Sequence, residues 1–60
     1  MSRDYAAVQL LRHGPLSLSQ FRWITCWPSS QECHEILERL RKAKKLRILS
    51  VQGVRLYEAV

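Results

Sequence analysis

From Cys33 onward the apolar residues recur at Cys33, Ile36, Leu37, Leu40 and Ala43, and charged residues fill the gaps. That i, i+3, i+4, i+7 rhythm predicts a helix over about 30–44 with one apolar face. Ser29 followed by Glu32 has capping-box spacing at its start, and Pro28 keeps the preceding helix from running into it. Upstream, Tyr5, Ala7, Val8, Leu10 and Leu11 form a wide apolar stripe and predict a first helix over about 4–13. Asp4 is placed to cap it, and Gly14-Pro15 to stop it, with Gly14 supplying a left-handed cap. Ser17 can cap a second helix over about 18–25, whose inner face takes Leu18, Phe21 and either Ile24 or Thr25. Between the first two helices, Leu16 reads as a short extended link able to pair with a strand elsewhere. The stretch from Cys26 to Ser30 reads as a turn.

After Leu46 the period changes from helical to alternating, which predicts a two-stranded hairpin over about 46–58. Gly53 allows two registers. A three-residue loop, Val51-Gln52-Gly53, puts Leu46, Ile48, Val54 and Leu56 on one face and Arg47, Leu49, Arg55 and Tyr57 on the other. A two-residue turn at Gln52-Gly53 joins Leu49, Val51, Val54 and Leu56 into one outward patch. The first is the preferred expectation, because it gives the core an apolar wall and leaves a mixed face for water.

Sixty residues, 47% hydrophobic and 25% charged, make one globular domain rather than a disordered chain. A domain this short buries only about 60% of its unfolded surface, so self-association or a bound partner is a natural route to added stability. No apolar run approaches a membrane span, and the first residues do not read as a signal peptide. The expected compartment is therefore the cytoplasm, with Cys26 and Cys33 reduced. Cys26, Cys33, His34 and the distant His13 match no common zinc spacing, and Cys33 falls on the core stripe as a small hydrophobe. No metal, cofactor or catalytic constellation is expected, for there is no Gly-rich phosphate loop and no nucleophile with an evident base.

Charge adds the functional clue. The chain is net +5, and Arg39, Arg41, Lys42, Lys44, Lys45 and Arg47 crowd into nine residues with no acid among them. Leu40, Ala43 and Leu46 should turn inward, leaving those cations outward on a ridge that the hairpin extends. A positive ridge of this kind attracts a phosphate backbone, and Arg41, Lys42, Lys45, Arg47 and Arg55 are the expected contacts. Against it, Glu32, Glu35 and Glu38 make the front of the same helix acidic. Helix-internal pairs Glu35–Arg39 and Glu38–Lys42 would neutralise part of that charge.

Helix, short strand, helix, turn, helix and hairpin is the order of a winged helix-turn-helix domain, which the chain resembles over nearly its whole length. The resemblance is carried by Pro15-Leu16-Ser17-Leu18-Ser19, then Ile24-Thr25, and the Leu37, Leu40, Ala43, Leu46 spacing. In that family the turn usually has Gly where this chain has Cys26. The resemblance implies a mainly α fold with a small C-terminal wing, and a third helix that enters the major groove of double-stranded DNA. Base readout would then fall to Ser30, Gln31, His34 and Glu35, with Ser19 and Arg22 fixing register on the backbone. A chain so short, without an effector domain, resembles small phage or mobile-element regulators of transcription or replication. The alternative expectation is a protein-interaction module that engages a partner through Trp23, Glu35 and Glu38, an exposed Trp being a common interface anchor.

Overall fold

A computed structural model describes residues 2–60 as three helices followed by a two-stranded antiparallel hairpin, a small winged-helix-like layout. Helix α1 spans Arg3–Leu11, α2 Leu18–Thr25 and α3 Ser30–Lys42; strand β1 spans Leu46–Val51 and β2 Val54–Ala59. Leu16 pairs with Tyr57 on the far edge of β2, its N–H donating to the Tyr57 carbonyl at 3.0 Å and its carbonyl accepting from Tyr57 at 2.8 Å. The link between α1 and α2 thus anchors the hairpin.

The helix ends follow local hydrogen bonding, with two corrections. Ser2, not Asp4, caps α1: its hydroxyl accepts from the Tyr5 N–H, while Asp4 lies within the first turn and reaches across to Arg39. Gly14 does not supply a left-handed cap either. Its φ is +156°, and α1 closes earlier through tight bonds such as His13 N–H to the Leu10 carbonyl. At α2, Ser17 and Gln20 form a reciprocal capping box. At α3 only half of one forms. Ser29 accepts from the Glu32 N–H, but the Glu32 carboxylate is held by Arg3.

Two sharp turns use left-handed residues that are not glycine. Cys26 ends α2 at φ +57°, its N–H bonded to the Arg22 carbonyl. Lys44 follows α3 at φ +64°, where Lys44 N–H to Arg41 and Lys45 N–H to Leu40 make the paired bonds of a Schellman motif. That motif stops α3 at Lys42 and leaves Ala43 exposed rather than on the core stripe.

The hairpin adopts the second register. Gln52 and Gly53 both have positive φ, the signature of a two-residue type I′ turn, so Val51 faces Val54, Leu49 faces Leu56 and Ile48 faces Tyr57. The three-residue loop is therefore incorrect. The right-handed twist of the strands matches a type I′ turn, and the wall of the core is made by Leu46 and Tyr57 instead of Val54 and Leu56.

The core consists of Ala7, Leu11, Phe21, Cys33, Ile36, Leu37, Leu40, Leu46 and Tyr57, drawn from every element. Phe21 meets Trp27 edge-on at 5.3 Å, and the Arg3 guanidinium lies over the outer face of Trp27. Thr25 rather than Ile24 turns inward, donating its hydroxyl to the Phe21 carbonyl, and Tyr5 remains half exposed at the margin of the α1 stripe.

Leu40→Ala, which empties a site 3% exposed, is expected to cost about 2–5 kcal/mol in chemical denaturation. Cys26→Gly should act the other way, raising stability by about 1 kcal/mol by relieving the left-handed backbone at φ +57°. An unchanged or lowered denaturation midpoint for Cys26→Gly would refute that account.

Candidate nucleic-acid interface

Helix α3 buries Cys33, Ile36, Leu37 and Leu40, so the residues between them must face outward. Ser30, Gln31, His34, Glu35 and Lys42 are all exposed, and Gln31 donates its side-chain amide to Glu35 at 3.3 Å. The other two glutamates leave this central strip for its edges. Glu32 pairs with Arg3 at 3.0 Å, on the α1 side. Glu38 pairs with Arg41 and also accepts from the Tyr57 hydroxyl at 3.0 Å, on the hairpin side.

The helix-internal pairs expected from the sequence do not form. Arg39 reaches Asp4 of α1 instead of Glu35, and Glu38 takes Arg41, three residues on, instead of Lys42. The reason is tertiary. Asp4 offers Arg39 both carboxylate oxygens, and the Tyr57 hydroxyl fixes Glu38 on the flank where Arg41, not Lys42, projects. Glu38 is consequently part-buried rather than opposite the core. The hydrogen bonds from Arg41 hold its carboxyl below the ordinary value; desolvation opposes this, and the Tyr57 bond adds to it. Asp4 is lowered chiefly by its hydrogen bonds from Arg39. Burial and the bond to Glu38 together push the Tyr57 hydroxyl up.

The basic run is likewise divided rather than forming one continuous ridge. Arg39 is tied to α1, Arg41 to Glu38, and Arg47 to Glu58, whose carboxylate accepts from its Nε at 2.6 Å. Lys45 lies near Asp4 and, with Lys44 and Arg12, lines a cleft against α1 floored by Val8 and Leu40. Lys42 remains on the exposed strip of α3 with no ion-pair partner among the described residues. Arg55 stands opposite Ser50 on the same hairpin face as Tyr57, two residues closer to the tip, and is unpaired among the described residues. Ser19 and Arg22 are exposed on α2.

Four of the five acids are in ion pairs among the described residues, Glu35 being the exception. Arg12, Arg22, Lys42, Lys44, Lys45 and Arg55 remain unpaired there, so the chain's positive charge is carried by free side chains. Trp23 is 81% exposed, beside a 47% exposed Ile24, and both border a shallow depression with Arg22, Cys26 and Trp27. No group of three or more His, Cys, Asp or Glu among the described residues is placed to hold a metal ion.

No family model, curated protein or solved structure matches the chain.

Arg3, Asp4 and Tyr57 escaped notice in the sequence as residues that shape this surface. The signal for Tyr57 was present: with the turn set at Gln52-Gly53, alternation alone turns Tyr57 inward with Leu46. Nothing local pointed to Arg3 or Asp4, whose partners lie 29 and 35 residues away.

A pH dependence follows from the carboxylates. Their folded-state values lie below the ordinary 3.8 for Asp4 and 4.5 for Glu38, so their stabilisation is complete above about pH 4.5. It is lost as pH falls through the lowered values. Thermal melts from pH 6 to pH 2 should show a falling midpoint on the acid side, and Glu38→Gln should flatten part of that fall.

Proposed function

We propose that this chain binds double-stranded DNA as a small regulator of transcription or replication, with α3 in the major groove and the hairpin as a wing on the phosphates. The supporting observation is how the acids of α3 are disposed. Glu32 and Glu38 are drawn to the flanks in ion pairs, which leaves Ser30, Gln31, His34, Glu35 and Lys42 along the exposed strip. A 13-residue helix is about 20 Å long and 10–12 Å across with its side chains, a match for a groove about 12 Å wide.

The chemistry of that strip suits base edges. Gln31 can bond bidentately to adenine, His34 can donate to a purine N7, and Glu35 can accept from cytosine N4. The amide of Gln31 already orients Glu35, so the two read as a unit. Lys42 ends the strip on α3, Arg55 projects from the wing, and Ser19 and Arg22 offer backbone contacts from α2. Arg41 and Arg47, already paired with Glu38 and Glu58, serve phosphates less directly. Lys45, at the base of a hairpin about 20 Å long, lies far from its tip.

Replacing Lys42 and Arg55 together by Ala should weaken binding to every sequence alike. It should also make the slope of log K against log salt shallower by roughly two units, about 0.9 for each lost phosphate contact. Lys45→Ala should leave the slope nearly unchanged. Gln31→Ala should alter sequence preference with little effect on slope. A salt-titrated mobility shift on these variants separates the cases, and equal slopes for parent and double variant would defeat the proposal.

One observation favours a second reading. Trp23, at 81% exposure beside Ile24, is a large apolar surface that phosphate contact does not use, and it suits a protein partner. Glu35 is exposed on α3 and in no ion pair among the described residues, whereas Glu38 is occupied by Arg41 and Tyr57. Under this reading Trp23→Ala abolishes partner binding that is insensitive to salt, while the Lys42/Arg55 double variant retains it.

A further inference from the structure

The outer face of the hairpin is apolar and faces away from the core. Val51 stands directly opposite Val54 and Leu49 opposite Leu56, and both valines are half exposed. At the base of this face Arg47 stands opposite Glu58 and pairs with it. The six residues therefore carry no net charge, on a chain that is +5 overall. Two molecules of like charge approach at least electrostatic cost through such a neutral patch.

The face is also complementary to itself. Let a second copy be related by a two-fold axis running parallel to the strands, midway between the two outer faces. Strand β1 of one copy then lies over β2 of the other at the same height. Arg47 meets Glu58 of the partner subunit, Leu49 meets Leu56 of the partner subunit, and Val51 meets Val54 of the partner subunit. An isologous interface requires this reciprocity, and here it joins opposite charges at the base and apolar side chains toward the tip. We infer that two copies of this chain associate through the outer faces of their wings in this two-fold arrangement.

Six-residue strands are about 20 Å long and two of them about 10 Å wide, so each subunit contributes a footprint on the order of 200 Å². That is about a quarter of what a standard stable complex buries per partner, so the dimer is weak. The axis leaves both wing tips at one end and both α3 helices on the outside. Layers about 10 Å apart place those helices roughly 30 Å from each other, near the 34–36 Å between successive major grooves. This last step rests on the DNA-binding reading; the self-association does not.

The test is sedimentation equilibrium of the pure chain without DNA, from about 5 μM to 1 mM. A reversible monomer–dimer equilibrium is expected. Arg47→Glu and Glu58→Arg should each weaken it about tenfold, because each makes both reciprocal contacts repulsive. An equimolar mixture of the two variants should recover near-parental association, since one chain's Glu then meets the other's Arg twice. Val51→Thr with Val54→Thr, which keeps the β-branched shape, should weaken the dimer without altering circular dichroism. A chain that stays monomeric at 1 mM overturns the inference and leaves the patch to a different partner or a lipid surface. A dimer indifferent to all these substitutions overturns it as well, as does a mixture that fails to recover. A dimer that forms but binds no DNA upholds this inference and refutes the DNA-binding reading alone.

Discussion

Tyr57 is the joint on which the arrangement depends. It is 2% exposed and its ring closes the core beside Leu46, its backbone exchanges two hydrogen bonds with Leu16, and its hydroxyl donates to Glu38 of α3. One residue of the hairpin is thereby fixed to the link before α2 and to the outer flank of α3. A two-stranded hairpin alone is barely stable in water. Here the buried ring and the bond to a part-buried carboxylate, stronger than a neutral hydrogen bond, hold it at one angle to the helix.

That joint also sorts the charges. Because the Tyr57 hydroxyl and Arg41 share Glu38, this carboxylate leaves the exposed strip of α3, and Arg3 does the same for Glu32 on the other side. The Arg3–Glu32 pair is half exposed and contributes little to stability. Both pairs act on surface potential: acids are cancelled in place, and the unpaired cations set the sign of what the surface attracts.

The turns show where a small domain tolerates strain. Cys26, Lys44 and Gln52 all sit at positive φ without being glycine. At about 1 kcal/mol or more each, that total is substantial beside the roughly 3–9 kcal/mol expected for a domain of this size. Each is nonetheless over-determined: Cys26 by the Arg22 bond and the Pro28 that follows, Lys44 by the Schellman bonds, and Gln52 by six paired residues on either side.

By itself the sequence determined the three helices, the hairpin and the core stripe of α3, because these follow from local periodicity, caps and breakers. Helix α2 was legible to the residue, and Leu16 was recognisable as a strand link. The exposed candidates Ser30, Gln31, His34, Glu35 and Lys42 were legible too, since burying Cys33, Ile36, Leu37 and Leu40 leaves them no other side. Only the tertiary structure decided the hairpin register. Both registers satisfied alternation, and the choice turned on a type I′ turn that keeps the strand twist and on a pocket that accepts the Tyr57 ring. It also decided the ion pairs. Arg39 chose Asp4 over Glu35, and Glu38 chose Arg41 and Tyr57 over Lys42, because a long side chain on a surface takes the best-placed partner in space, whatever its distance along the chain.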